Sequence, residues 1–142
     1  MGAAVVGKYA LFAGGMADGW GNASAKVDVY DTSLTHTMAT NLTGIPREHV
    51  RGASVGNYAL FAGGQQFEKK SNVLWEVFMV DAYDASLTKT RASNLGSNKN
   101  RDAAATVGNH AVFVGSPDSA DIYDASLTRT SAAILSTART GL

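Results

Sequence analysis

Short apolar runs broken by glycine recur along the chain, and each is followed by a segment in which polar and apolar residues alternate. Runs this short, bounded by turn residues, predict strands rather than helices. In the first third, residues 3–6 are a small-residue strand and Val6-Gly7-Lys8 a tight turn. YALFA at 9–13 is a nearly continuous apolar strand, as expected of one covered on both faces. Gly14 and Gly15 end it, where glycine permits positive φ and close backbone approach. Residues 26–30 alternate and predict a third strand. Asp31-Thr32-Ser33 predicts a turn in which the carboxylate bonds backbone N–H groups two residues on. Residues 35–40, with threonine at alternate positions, predict a polar outer strand. Helical periodicity is absent throughout.

The same pattern then repeats. VGKYALFAGG at 6–15 returns as VGNYALFAGG at 55–64 and, more diverged, as VGNHAVFVGS at 107–116. DVYDTSLT at 28–35 returns as DAYDASLT at 81–88 and DIYDASLT at 121–128. A period of about 50 residues belongs to propeller blades rather than to helical solenoids. The 142 residues therefore read as one domain of three four-stranded units, approximately 2–46, 47–99 and 100–142.

A double glycine closing an apolar strand, followed after a variable loop by a tyrosine, resembles the kelch repeat. The residues are Gly14/Gly15 with Tyr30, Gly63/Gly64 with Tyr83 and, in weakened form, Gly115/Ser116 with Tyr123. The tryptophan that kelch repeats carry beyond the tyrosine is replaced here by Thr35/Thr37, Thr88/Thr90 and Thr128/Thr130. The resemblance implies an all-β β-propeller of kelch-like four-stranded antiparallel blades, three per chain, serving as a binding scaffold rather than an enzyme. Propellers hold roughly four to eight blades, so three would leave two apolar faces open. Two copies closing a six-bladed ring, or a longer propeller of which this is a part, would each cover them. Open faces that propagate into a larger structural assembly are a third arrangement. The tail at 136–142 resembles the run into the second unit at 46–53 and would read on smoothly into residues 3–6.

Charge and composition narrow the function. Twelve basic residues balance twelve acidic ones and form no basic stretch, so neither nucleic acid nor an anionic membrane is an expected partner. Glu68-Lys69-Lys70 reads as a solvated loop. The first seven residues lack a basic segment and recur inside the chain, so they read as structure rather than as a signal peptide. With no cysteine there is no disulfide, thiolate nucleophile or cysteine zinc site, and the Cys–Tyr crosslink of a galactose-oxidase-like copper centre is excluded.

Paired carboxylates can hydrolyse glycosides. Asp28/Asp31, Asp81/Asp84 and Asp121/Asp124 stand at the same place in every unit, however, which points to turns and strand edges. His36 falls on the outer strand, His49 in a connection between units, and His110 replaces a tyrosine at a strand position expected to be packed. Their spacing matches no metal motif. No catalytic residue, metal or cofactor is expected.

The units differ in the loop after the double glycine, and loops on a rigid frame concentrate binding residues. Residues 16–25 carry Asp18, Trp20 and Asn22; residues 65–75 carry Gln65 and Phe67; the third loop shrinks to 117–120. Trp20 and Phe67 either meet a protein, peptide or glycan ligand or pack locally over the sheet edge. Trp75 begins an apolar run at 73–80 that is expected to pack in the core or between units. Arg47, Arg101 and Arg139 approach each next inner strand, either lining a channel mouth suited to carboxylates or bonding carbonyls between units.

Overall fold

The computed structural model describes residues 1–96, 101–115, 119–131 and 136. Its main elements are three four-stranded antiparallel sheets, with no helix among the described residues. The first sheet contains β1 (Gly2–Val6), β2 (Tyr9–Ala13), β3 (Val27–Tyr30) and β4 (His36–Ala39), in chain order. The second contains β5 (Arg51–Val55), β6 (Tyr58–Ala62), β9 (Val80–Asp84) and β10 (Lys89–Ala92). Between β6 and β9 the chain adds a separate two-stranded ribbon, β7 (Gln65–Glu68) and β8 (Val73–Glu76). The third sheet contains β11 (Arg101–Val107), β12 (His110–Gly115), β13 (Ser119–Asp124) and β14 (Arg129–Ser131).

Local chemistry sets these boundaries. Gly7, Gly56 and Gly108 take positive φ in the first hairpin of each sheet, so strand pairing starts at Val6↔Tyr9, Val55↔Tyr58 and Val107↔His110. The next turn is built by aspartate. Asp31 Oδ1 accepts the N–H groups of Ser33 and Thr35 at 2.9 and 3.0 Å, and Asp84 and Asp124 do the same in their sheets. Each turn forces a leucine (Leu34, Leu87, Leu127) to φ near 60°. Gly14 is required for a further reason: a β-carbon there would lie 2.7 Å from the Arg47 carbonyl oxygen, where the connection to the second sheet passes.

Successive side chains alternate between the two faces of a strand, so each sheet has an advancing face and a receiving face. Leu11, Val27 and Val29 of the first sheet pack on Ala59, Phe61 and Tyr83 of the second. Leu60, Val80 and Ala82 of the second pack in the same way on Ala111, Phe113 and Tyr123 of the third. The inner strands are clasped by hydroxyls. Ser54 Oγ accepts Val5 N–H at 3.1 Å and donates to Val5 O at 2.6 Å; Thr106 Oγ1 makes the same pair with the backbone of Ser54.

Candidate functional site

Three backbone segments are joined edge to edge on one side of the seam between the first two sheets. The loop at 16–24 closes on itself through Ala17 N–H to Asn22 O and Ser24 N–H to Gly15 O, both 2.7 Å. Arg47 N–H then bonds Ser24 O, and Glu48 exchanges backbone bonds with Gln65 at 2.8 and 2.9 Å. The loop, the connection at 46–48 and the β7–β8 ribbon thus form one bonded surface. The cleft between loop and ribbon has a volume of about 400 Å³ and is lined by Asn22, Pro46, Gln66, Phe67, Lys69 and Lys70, among others. A neighbouring depression of about 380 Å³ lies against Ile45, Gln66, Glu68 and Trp75.

Of the sequence candidates, the cleft brings together Asn22 and Phe67. Gln65 does not line it; at the start of the ribbon its Nε2 donates to Glu48 Oε1 at 3.4 Å. Asp18 is committed to its own loop: Oδ1 accepts the N–H groups of Trp20 (2.9 Å) and Asn22 (3.2 Å), and Oδ2 accepts Asn22 Nδ2 at 2.6 Å. The Asn22 side chain, those two N–H groups and the nearby Lys69 ammonium hold the Asp18 carboxyl below its ordinary pKa. Trp20 does not line the cleft and is 78% exposed, the most open aromatic among the described residues.

Several expectations need correction. Residues 65–75 were expected to form a loop, but most of them belong to the ribbon, in which Gln66 pairs with Trp75 and Phe67 with Leu74 around a turn at 69–72. Trp75 is not packed between units: it is 53% exposed, and Val73, Leu74 and Phe78 are also open. The ribbon lies outside the repeat, and no neighbouring sheet among the described residues covers it. His110 is likewise exposed, because no sheet among the described residues lies against the third sheet's advancing face.

Of the two roles expected for Arg47, the geometry fits the bonding of a carbonyl between units. Arg47 is fully buried, with Nη2 on Asp81 Oδ2 at 2.9 Å and Nη1 on Thr43 O at 2.6 Å. Burial lowers its pKa, and the Asp81 charge opposes that shift. Asp81 also accepts Thr43 N–H at 3.0 Å, and the Tyr83 hydroxyl donates to Thr40 O at 2.7 Å. Burial first, then the Asp81 charge, raises the Tyr83 pKa. The main chain of Arg101 opens β11, its side chain is outside the described set, and Arg139 lies outside the described residues.

Together these elements define an all-β repeat protein with a ribbon and loop added at one seam. Its fold is similar to the solved structure of YjhT, with TM-score 0.67 and 11% sequence identity over 92% of this chain. The match covers 43% of YjhT, so the chain spans less than half of that protein's length, and at this identity the likeness concerns fold alone. No family model matches the sequence, and a search of curated proteins found no match.

Proposed function

We propose that the three sheets are kelch-like blades of a β-propeller and that the chain is a non-catalytic binding module for a protein or peptide. In this reading two copies complete a six-bladed ring. The observation that carries the binding role is the β7–β8 ribbon. Phe67 and Leu74 stand open on one of its faces and Val73 and Trp75 on the other, at 38–53% exposure, beside a polar cleft carrying Lys69 and Lys70. Exposed apolar side chains grouped in pairs beside polar ones mark association surfaces. Rigid attachment through Glu48 and Gln65 spares a ligand part of the ordering cost.

The carboxylates support a scaffold role rather than catalysis. Asp31, Asp84 and Asp124 are spent on turns, Asp81 and Asp121 on seams, and Asp18 on its loop. The use of Asp18 also weakens the glycan-binding alternative, in which that carboxylate would orient a sugar stacked on Trp20.

Screening the purified chain against a displayed peptide library and a glycan array tests the proposal. Peptide ligands whose binding falls at least about tenfold in Phe67→Ala or Trp75→Ala fit it, as expected of a buried aromatic anchor. Sugar binding lost in Trp20→Ala, with no peptide binding, would replace it.

A further inference from the structure

The receiving faces of the three sheets carry the same residues at the same register, but among the described residues only two of them are covered. In the second and third sheets the phenylalanine–tyrosine pairs Phe61–Tyr83 and Phe113–Tyr123 are fully buried, with ring centroids 5.9 and 5.8 Å apart at 74° and 87°. In the first sheet Phe12–Tyr30 has the same edge-to-face geometry, 6.1 Å and 82°, yet Tyr30 is 39% exposed.

The polar groups follow suit. Tyr83 and Tyr123 donate their hydroxyls to Thr40 O and Ser93 O of the preceding sheet's exit segment, at 2.7 and 2.8 Å. Asp81 and Asp121 accept backbone N–H groups from Thr43 and Gly96. Asp28 stands at their position with its side chain 42% exposed. His36 Nε2 lies 2.8 Å from Asp28 Oδ1, in the place that Arg129 takes beside Asp121. Leu34, 79% exposed, corresponds to Leu87 and Leu127, which pack on the preceding sheet's core.

The advancing face of the third sheet is open in the complementary sense. Val107 is 64% exposed where Val6 and Val55 are 4% and 1%. Val112 and Ile122 are partly exposed where Leu11, Leu60, Val29 and Ala82 are buried. The two open faces are therefore the two halves of a joint that the chain already makes twice.

We propose that the first sheet's receiving face is a docking site for the third sheet's advancing face of a second copy. Phe12 and Leu34 are buried by it, and Asp28 and the Tyr30 hydroxyl are covered as Asp81, Asp121, Tyr83 and Tyr123 are at the internal seams. The contact is heterologous, so two copies make it twice and close. This inference rests on the ring reading above and assigns residues to its joint.

The test is sedimentation velocity of the full chain and of three variants, with circular dichroism confirming that each is folded. Asp28→Arg replaces the carboxylate at the centre of this face with a bulky cation. Tyr30→Phe removes one hydroxyl, and Val107→Glu charges the opposite face. A wild-type mass of two chains is expected, with Asp28→Arg weakening association by roughly 100-fold or more and Tyr30→Phe by about fivefold.

Dissociation by Val107→Glu but not by Asp28→Arg would leave ring closure standing and overturn the role of Asp28. Wild-type polymers larger than two chains that Asp28→Arg dissolves would keep the docking site and overturn the two-chain ring. A wild-type chain that stays single at high concentration would overturn both.

Discussion

The joint between the first two sheets and the receiving face of the first sheet hold nearly the same residues in different surroundings. At the joint, Phe61, Asp81 and Tyr83 are sealed, and Arg47 is buried with its charge matched by Asp81. On the open face, Phe12, Asp28 and Tyr30 keep the same arrangement in contact with solvent. The comparison shows that the ring geometry is the same whether or not a neighbouring sheet covers it, while the carboxylate changes partner, from His36 on the open face to Arg47 and Thr43 at the seam. It also separates preorganisation from stabilisation. The phenylalanine–tyrosine geometry forms without a neighbour, whereas the desolvation that makes a buried ion pair both costly and indispensable needs one.

The largest difference between the two regions should come from their charges. Arg47→Ala leaves Asp81 buried without its cation and should cost roughly 3–5 kcal/mol in urea unfolding of dilute protein. His36→Ala beside the exposed Asp28 should change stability by no more than about 0.5 kcal/mol. Equal effects would break the comparison.

Truncating the rings comes next. Phe61→Ala should cost about 3–5 kcal/mol, and Phe12→Ala, with solvent already on one side, clearly less. Removing one hydroxyl is a finer probe. Tyr83→Phe loses the bond to Thr40 O and should cost about 1 kcal/mol, while Tyr30→Phe should leave the single chain unchanged.

A gain is expected as well. Both internal seams use a hydroxyl, Ser54 or Thr106, to clasp the preceding inner strand, and Val5 holds that position in the first sheet at 57% exposure. Val5→Ser should tighten association of two copies severalfold, read as a lower dissociation constant, with no effect on the single chain.

The smallest effect concerns the loop carboxylate rather than those at the seams. The pKa of Asp18 is lowered in the folded protein, so its contribution is present above the unfolded value near 3.8 and is lost as pH falls through the folded value. Trp20 fluorescence in a Trp75→Phe background should therefore report loosening of the 16–24 loop below that pH, while the far-ultraviolet circular dichroism of the sheets persists.

Much of the architecture was legible in the amino acids. The strand at 9–13, the glycine hairpins and the aspartate turns follow from near-neighbour chemistry, and they fall where the repeats place them. The candidate site was legible only in part. Asn22, Gln65 and Phe67 could be singled out because they interrupt the repeat, and two of them line the cleft.

Trp75 and its ribbon were missed, although a pairing signal was present. QQFE and VLWE are two strand-like tetrads separated by Lys69-Lys70-Ser71-Asn72, which has the composition of a hairpin turn. Arg47 was placed with two other arginines by sequence position. Its burial depends on Asp81 and Thr43 meeting across a seam, and no local pattern reports that.

VGKYALFAGG and VGNYALFAGG differ at one residue, and YALFA forms a strand in both. Phe12 is nevertheless partly open while Phe61 is sealed. The sequence by itself determined the strands, the turns and the alternation of faces, because these depend on residues a few positions or one hairpin away. Which copy of a shared motif is core and which is surface was decided only by tertiary structure, because burial depends on the sheet that stands alongside, and that sheet comes from about 50 residues away in the chain.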